Sequence, residues 1–135
     1  MNNNVIFISK KESNSLYSKT QEDILKVIID GEKICSWSDY WNAISNAFSF
    51  PELPSYMKPD YHSYYDLMTD LSWLKNENII LIFENADSFL ANDLQLKNNI
   101  IKDFKEFLLP FWEEEASKTV VNGKKKNFSV YFVEE

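Results

Sequence analysis

The chain has 135 residues, 44% of them hydrophobic and 16% aromatic, which suits one domain with a real core and argues against a wholly disordered chain. Its 14 basic residues, all of them lysine, stand against 21 acidic ones, giving a net charge of −7 and a pI near 4.7. That balance argues against binding to a nucleic-acid phosphate backbone, where arginine forks would be expected, and suits either solubility or a basic partner.

Residues 1–23 read as an N-terminal extension: MNNN, a short apolar run Val5–Ile8 that suits one edge strand, and a polar connector, KKESNSLYSKTQED. Residues 24–135 read as the main domain. Leu25–Ile29 is apolar and β-branched, predicting a strand that stops at the turn pair Asp30-Gly31, with Glu32–Ile34 as a short return. Cys35 has no second cysteine to pair with and is expected to be a buried or half-buried thiol. A lone cysteine, no apolar leader and no membrane-length apolar run suit a cytoplasmic protein.

Ser36 and Ser38 are both candidate N-caps for a helix carrying Trp37, Tyr40, Trp41, Ile44 and Phe48, which ends before Pro51. Residues 51–60, PELPSYMKPD, hold three of the four prolines and predict an extended loop. A helix over 61–73 follows. Asn78–Phe83 is a continuous apolar run, as in a strand covered on both faces. Asn85–Ala91 suits one short helical turn. Leu94–Leu109 places Ile100, Ile101, Phe104, Phe107 and Leu108 at helical spacing, and Pro110 kinks that helix or restarts it as FWEEEA. Asn122-Gly123 is a turn, Lys124–Lys126 reads as its solvated flank, and Phe128–Val133 alternates as a last strand. Strands joined by helices imply an α/β fold: a small three-stranded parallel sheet packed against helices. With two glycines, at Gly31 and Gly123, there is no glycine-rich phosphate loop.

The helix over 61–73 is the most informative segment. Tyr61, Tyr64, Met68 and Leu71 recur on one face, and His62, Asp66, Thr69, Asp70 and Trp73 fall on the other. Asp66 and Asp70 are four apart, a like-charge spacing that costs about 0.2–0.5 kcal/mol and is either tolerated at the surface or used. Tyr56, Tyr65 and Trp73 are candidate aromatic anchors, while periodicity assigns Trp41, Phe48, Phe83, Phe104 and Phe132 to the core. Carboxylates interleaved with rings suit docking to a basic partner. Asp60, His62 and Asp66 also allow a second reading, a small metal-dependent hydrolase. One histidine and no paired cysteine weigh against a metal centre, so no metal or other cofactor is expected. A third reading is an interaction module whose partner is not a toxin.

Three segments together resemble the barstar family of ribonuclease inhibitors. IDGEKICSWSDYWNAISNAF (Ile29–Phe48) is similar to that family's first strand, turn, serine cap and first helix. Phe50-Pro51-Glu52, the loop and YYDLMTDLSW (Tyr64–Trp73) are similar to its second helix and the approach to it. The element order then continues to a C-terminal strand. The resemblance implies a non-enzymatic immunity protein, monomeric when free. It would block a basic ribonuclease or other toxin by inserting an acidic helix and loop into the active site. Asp66 stands at the family's principal acidic position, directly after the aromatic Tyr65, and Thr69 matches a threonine that follows. Tyr56 and Met57 stand where the family has a loop aromatic pair. Asp60, His62, Tyr65, Thr69 and Asp70 would supply surrounding contacts. The chain departs from the family at Lys58-Pro59-Asp60, at His62 in place of a second acid, and in added length at the N-terminus and near 110–127.

Overall fold

Four apolar runs become strands because each has both faces to bury, or one face and an edge. The computed structural model describes residues 3–18, 23–115 and 125–135; the predicted turn at Asn122-Gly123, and Lys124, lie outside them. The strands are β1 (Val5–Ser9), β2 (Ile24–Asp30), β3 (Asn78–Glu84) and β4 (Asn127–Glu134). They form one sheet in the order β1-β4-β3-β2, with every neighbouring pair parallel. The expected three strands are thus four. The added strand pairs with β4 from Val5 opposite Val130 to Ser9 opposite Glu134. Asn3 anchors its start: the side-chain amide donates to the carbonyls of Leu109 and Lys126 at 3.3 and 2.9 Å and its oxygen accepts from Phe128 N–H at 3.1 Å. No local pattern signals a pairing across more than 120 residues.

The stretch expected as a polar connector contains a helix, α1 (Lys10–Tyr17). Ser9 and Glu12 form a reciprocal capping box at its start, which satisfies two N–H groups at once. The helix buries Leu16 against Ile80, Ile82 and Val133 on one face of the sheet. The opposite face carries Val27, Ile29, Ile79, Leu81, Phe83, Phe128, Val130 and Phe132. Against it pack α2 (Trp37–Ala47), α3 (Tyr61–Met68) and α4 (Leu94–Asp103). The strand β3 lies in the middle with Ile79 to Phe83 all buried, as its unbroken apolar run predicts. Phe48, Phe83, Phe104 and Phe132 are fully buried; Trp41, expected with them, is only half-buried at the edge of the same core.

Local chemistry explains the boundaries. Ser36 rather than Ser38 caps α2, accepting from Asp39 N–H at 3.2 Å. Gly31 opens a 3-10 turn where a side chain would collide, since a Cβ there would stand 2.6 Å from the Glu84 carbonyl oxygen. Residues 85–91 make turns and no helix, with Asn85 and Leu90 both in the left-handed region. After α4 the helical run widens into π turns at Phe104–Leu108 and Phe111–Glu115. Leu109 N–H donates to the carbonyl of Phe104, five residues back. Pro110, with no N–H to give, therefore sits inside the run where an interruption was expected. The wider turn also rotates Phe107 outward, while Leu108 and Leu109 go into the core. Lys126 corrects the expectation of a solvated lysine run. It is buried, its ammonium donates to the carbonyls of Leu74 and Asn76 at 3.2 and 2.6 Å, and desolvation lowers its pKa. No helix among the described residues is long and apolar enough to cross a membrane.

Candidate protein-binding site

The helix α3 is shorter than the sequence pattern suggests. It ends at Met68, with Thr69 as its C-cap, and Leu71 adopts a left-handed conformation (φ 45°) that turns the chain away. The Thr69 hydroxyl donates back to the Tyr65 carbonyl at 2.8 Å, which closes the last turn. Tyr64, Met68 and Leu71 are fully buried, and Tyr61 is half-buried at the mouth of a cleft.

Three indoles act as clamps around α3. Trp37 Nε1 donates to the Pro59 carbonyl at 2.7 Å, and its ring stacks on Tyr61 at 5.3 Å, which ties the loop 51–60 to α2. Trp112 Nε1 donates to Met68 O at 2.9 Å and holds the far end of the helix. Trp73 Nε1 donates to Phe48 O at 2.8 Å, with Phe50 edge-on to its ring. Half-buried and hydrogen-bonded in this way, Trp73 serves the scaffold. Between α2 and α3 the hydroxyls of Tyr40 and Tyr64 meet at 2.7 Å in the interior, and burial raises both phenols well above their usual pKa.

On the outer side, α3 and its loop carry exposed polar groups. Asp60 is the N-cap and accepts from Ser63 N–H at 2.9 Å, an interaction that lowers its pKa. His62 Nε2 lies 3.4 Å from Asp66 Oδ2, one helical turn on; their side chains are 86% and 53% exposed. The contact is an ion pair only when the imidazole is protonated. No lysine among the described residues makes an ion pair with Asp66. Tyr56 is 83% exposed. Together with Met57 these residues surround an open depression of about 480 Å³. Tyr65 is half-buried beside Asp66, with its phenol pKa raised by burial. Asp70 is exposed but stands in the turn beyond the helix, so it does not share a helical face with Asp66.

The structure thus brings Tyr56, Asp60, His62 and Asp66 together, and sets Asp70 and Trp73 apart from them. It does not support the triad Asp60, His62 and Asp66 as a metal centre: no group of three or more His, Cys, Asp or Glu side chains among the described residues is placed to hold a metal ion. Cys35, expected to be buried or half-buried, is exposed and free. Two residues near the site did not stand out in the sequence. Trp37 was legible only as a helix residue, though a buried-facing indole N–H always needs an acceptor. Asp103 lies on the apolar stripe of α4 between Ile100 and Phe107, and a carboxylate in such a stripe is itself a signal.

A parallel sheet with helices on it, and a short helix after a proline-rich loop that shows Asp66 on its outer side, define a small α/β protein that presents a surface. The sequence profile of the Barstar family, Barstar (barnase inhibitor), matches residues 24–132, and the chain belongs to that family. Members of the family are inhibitors of ribonucleases rather than enzymes. No curated protein and no solved structure matches the chain.

Proposed function

We propose that this protein inhibits a basic ribonuclease of the barnase type, acting as an immunity protein in the cytoplasm of the cell that makes the toxin. The observation that carries the reading is Asp66, a half-exposed carboxylate with no lysine partner among the described residues, at the rim of a depression on the outer face of α3 in a barstar-family chain. An anionic, aromatic surface of this kind occupies a cationic active site in place of substrate phosphates, and opposite charge speeds the encounter. In this reading Asp66 is the main anchor. Tyr56 and Tyr65 supply apolar contact, Asp60 and His62 border it, and Thr69 and Asp70 stand in the turn beyond the helix. Trp73 positions the turn after α3.

The test is inhibition and calorimetric binding with a purified barnase-type ribonuclease. The Asp66→Ala variant should lose about 2–5 kcal/mol of binding, seen mainly as faster dissociation, because a cation on the enzyme is left buried and unpaired. Undiminished binding by the variant removes Asp66 from its role, and no binding by the wild type removes the ribonuclease.

A further inference from the structure

The sheet ends in two edges, and the chain treats them differently. At β1 the exposed ring of Phe7 stacks on Phe132 at 5.4 Å and carries the Lys105 ammonium 5.4 Å from its centroid. The β2 edge has no such cover among the described residues. This strand, ILKVIID, pairs with β3 alone, and its second edge leaves every other N–H and C=O pointing outward. Val27 and Ile29 go into the dense core, so Lys26, Ile28 and Asp30 lie on the side that α1 covers in part. Ile28 stands there 47% exposed, in the middle of the open edge. A lysine often guards an edge of this kind. Lys26 does not, because it is turned in over the sheet, where its ammonium donates to the Tyr17 carbonyl of α1 at 3.0 Å.

An apolar side chain on an open edge gains its burial when another strand is added. We propose that the added strand is β2 of a second copy of this chain, paired antiparallel about a two-fold axis through Ile28. The sequence of the strand picks this occupant, because it is complementary to itself in that register. Residues directly opposite each other in an antiparallel pair share a face. An axis through Ile28 sets Ile28 against its own copy, Val27 against Ile29, and Lys26 against Asp30 twice over. An axis through Lys26 sets two lysines together. One through Val27 sets Lys26 against Ile28, and one through Ile29 sets Asp30 against Ile28. Only the axis through Ile28 matches apolar with apolar and each charge with its opposite.

Both charges are able to take part. Neither makes an ion pair among the described residues. The Lys26 ammonium has donors beyond the one given to Tyr17. Asp30 accepts from Glu32 N–H and the Asn85 amide on Oδ1, which leaves Oδ2 to accept from a partner. A two-fold contact uses each β2 edge once, so assembly stops at the dimer. It departs from the free monomer that the family resemblance implies. No residue of α3 or the loop before it is used, so the inference stands apart from the inhibitor reading.

The experiment is sedimentation equilibrium of the full chain. One added strand pair buries less than a standard interface, so a dimer with a Kd of about 10–100 µM is expected. Ile28→Lys puts two ammonium groups face to face on the axis, at a position already half in water. It should keep the wild-type circular dichroism and weaken the dimer at least about tenfold. Lys26→Glu alone and Asp30→Lys alone set like charges opposite each other, and each should stay monomeric. Mixed in equal amounts, these two variants regain opposite charges at both positions and should form a heterodimer. A wild type that stays monomeric up to about 500 µM overturns the proposal. So does a dimer that survives Ile28→Lys, or a mixture of folded variants that does not associate. Growth past the dimer overturns it too, since that needs a second edge such as β1. Should Asp30→Lys fail to fold for want of its cap, Ile28→Lys decides alone.

Discussion

The two faces of the sheet are built to different standards. On the face that carries α2, α3 and α4, large rings interlock: Phe83 stacks on Phe132 at 4.9 Å and on Tyr40 at 6.3 Å, and Phe89 meets Phe83 at 4.9 Å. On the other face α1 brings Leu16 and part of Tyr17 to Ile80, Ile82 and Val133, and leaves Ile28 of β2 47% exposed. The family match begins at residue 24, so most of the well-packed face belongs to the matched segment, while the cover of the other face comes from residues before it. It is the dense face that positions α3, through indole clamps and the paired tyrosines. α1 covers the side of the sheet away from the site, while β1 adds Val5 and Phe7 to the edge of the dense face.

Truncations should separate the faces by size of effect. Phe83→Ala leaves a cavity inside a ring stack and should cost about 3–5 kcal/mol in denaturant unfolding. Leu16→Ala, on the thinner face, should fall near the low end for such changes, about 2–3 kcal/mol, because α1 has room to settle. Equal costs would break the comparison, since they would mean that α1 is as integral as the ring stack.

The same division governs what could be read from the sequence. β2, β3 and β4 were legible because Leu25–Ile29, Asn78–Phe83 and Phe128–Val133 are apolar runs with turn residues or polar tracts at their ends. β1 was readable as a strand-like run but not as a member of the sheet, since its partner β4 lies at the far end of the chain. For α1, the Ser9 to Glu12 spacing was present as a capping signal, but the polar residues around it masked the helix. In the site, Asp60, His62 and Asp66 were legible because a helix places local spacing directly in space. The end of α3 was not, because Leu71 takes a left-handed conformation without the glycine that usually announces one. Lys126 was not either: only tertiary structure brings the carbonyls of Leu74 and Asn76 to it.

Asp103 sharpens the comparison from the opposite direction, because here the dense face carries a defect. Its folded pKa of about 6 lies above the ordinary 3.8. A carboxyl raised in this way costs nothing below the unfolded value, costs more as pH rises between the two values, and costs a constant amount above about 6. Asp103→Asn should therefore raise stability at pH 7.5 by about 1–3 kcal/mol, with the gain shrinking toward zero near pH 4. Urea unfolding of both proteins at several pH values measures it. A difference that does not vary with pH would mean that the carboxyl is solvated in the folded protein.

The smallest effect on stability belongs to Tyr56, and it separates scaffold from surface most cleanly. Its ring is the most exposed of the large apolar side chains among the described residues, in a loop without regular structure. Tyr56→Ala should leave the unfolding midpoint unchanged within about 0.5 kcal/mol, as surface substitutions do. An aromatic held in water at such a position gains its burial only when a partner covers it. Binding to the ribonuclease should therefore fall by about 2 kcal/mol or more, the scale of an aromatic anchor. A loss of stability with no loss of binding would move Tyr56 to the scaffold, beside Trp37 and Trp73, and would confine the recognition surface to α3.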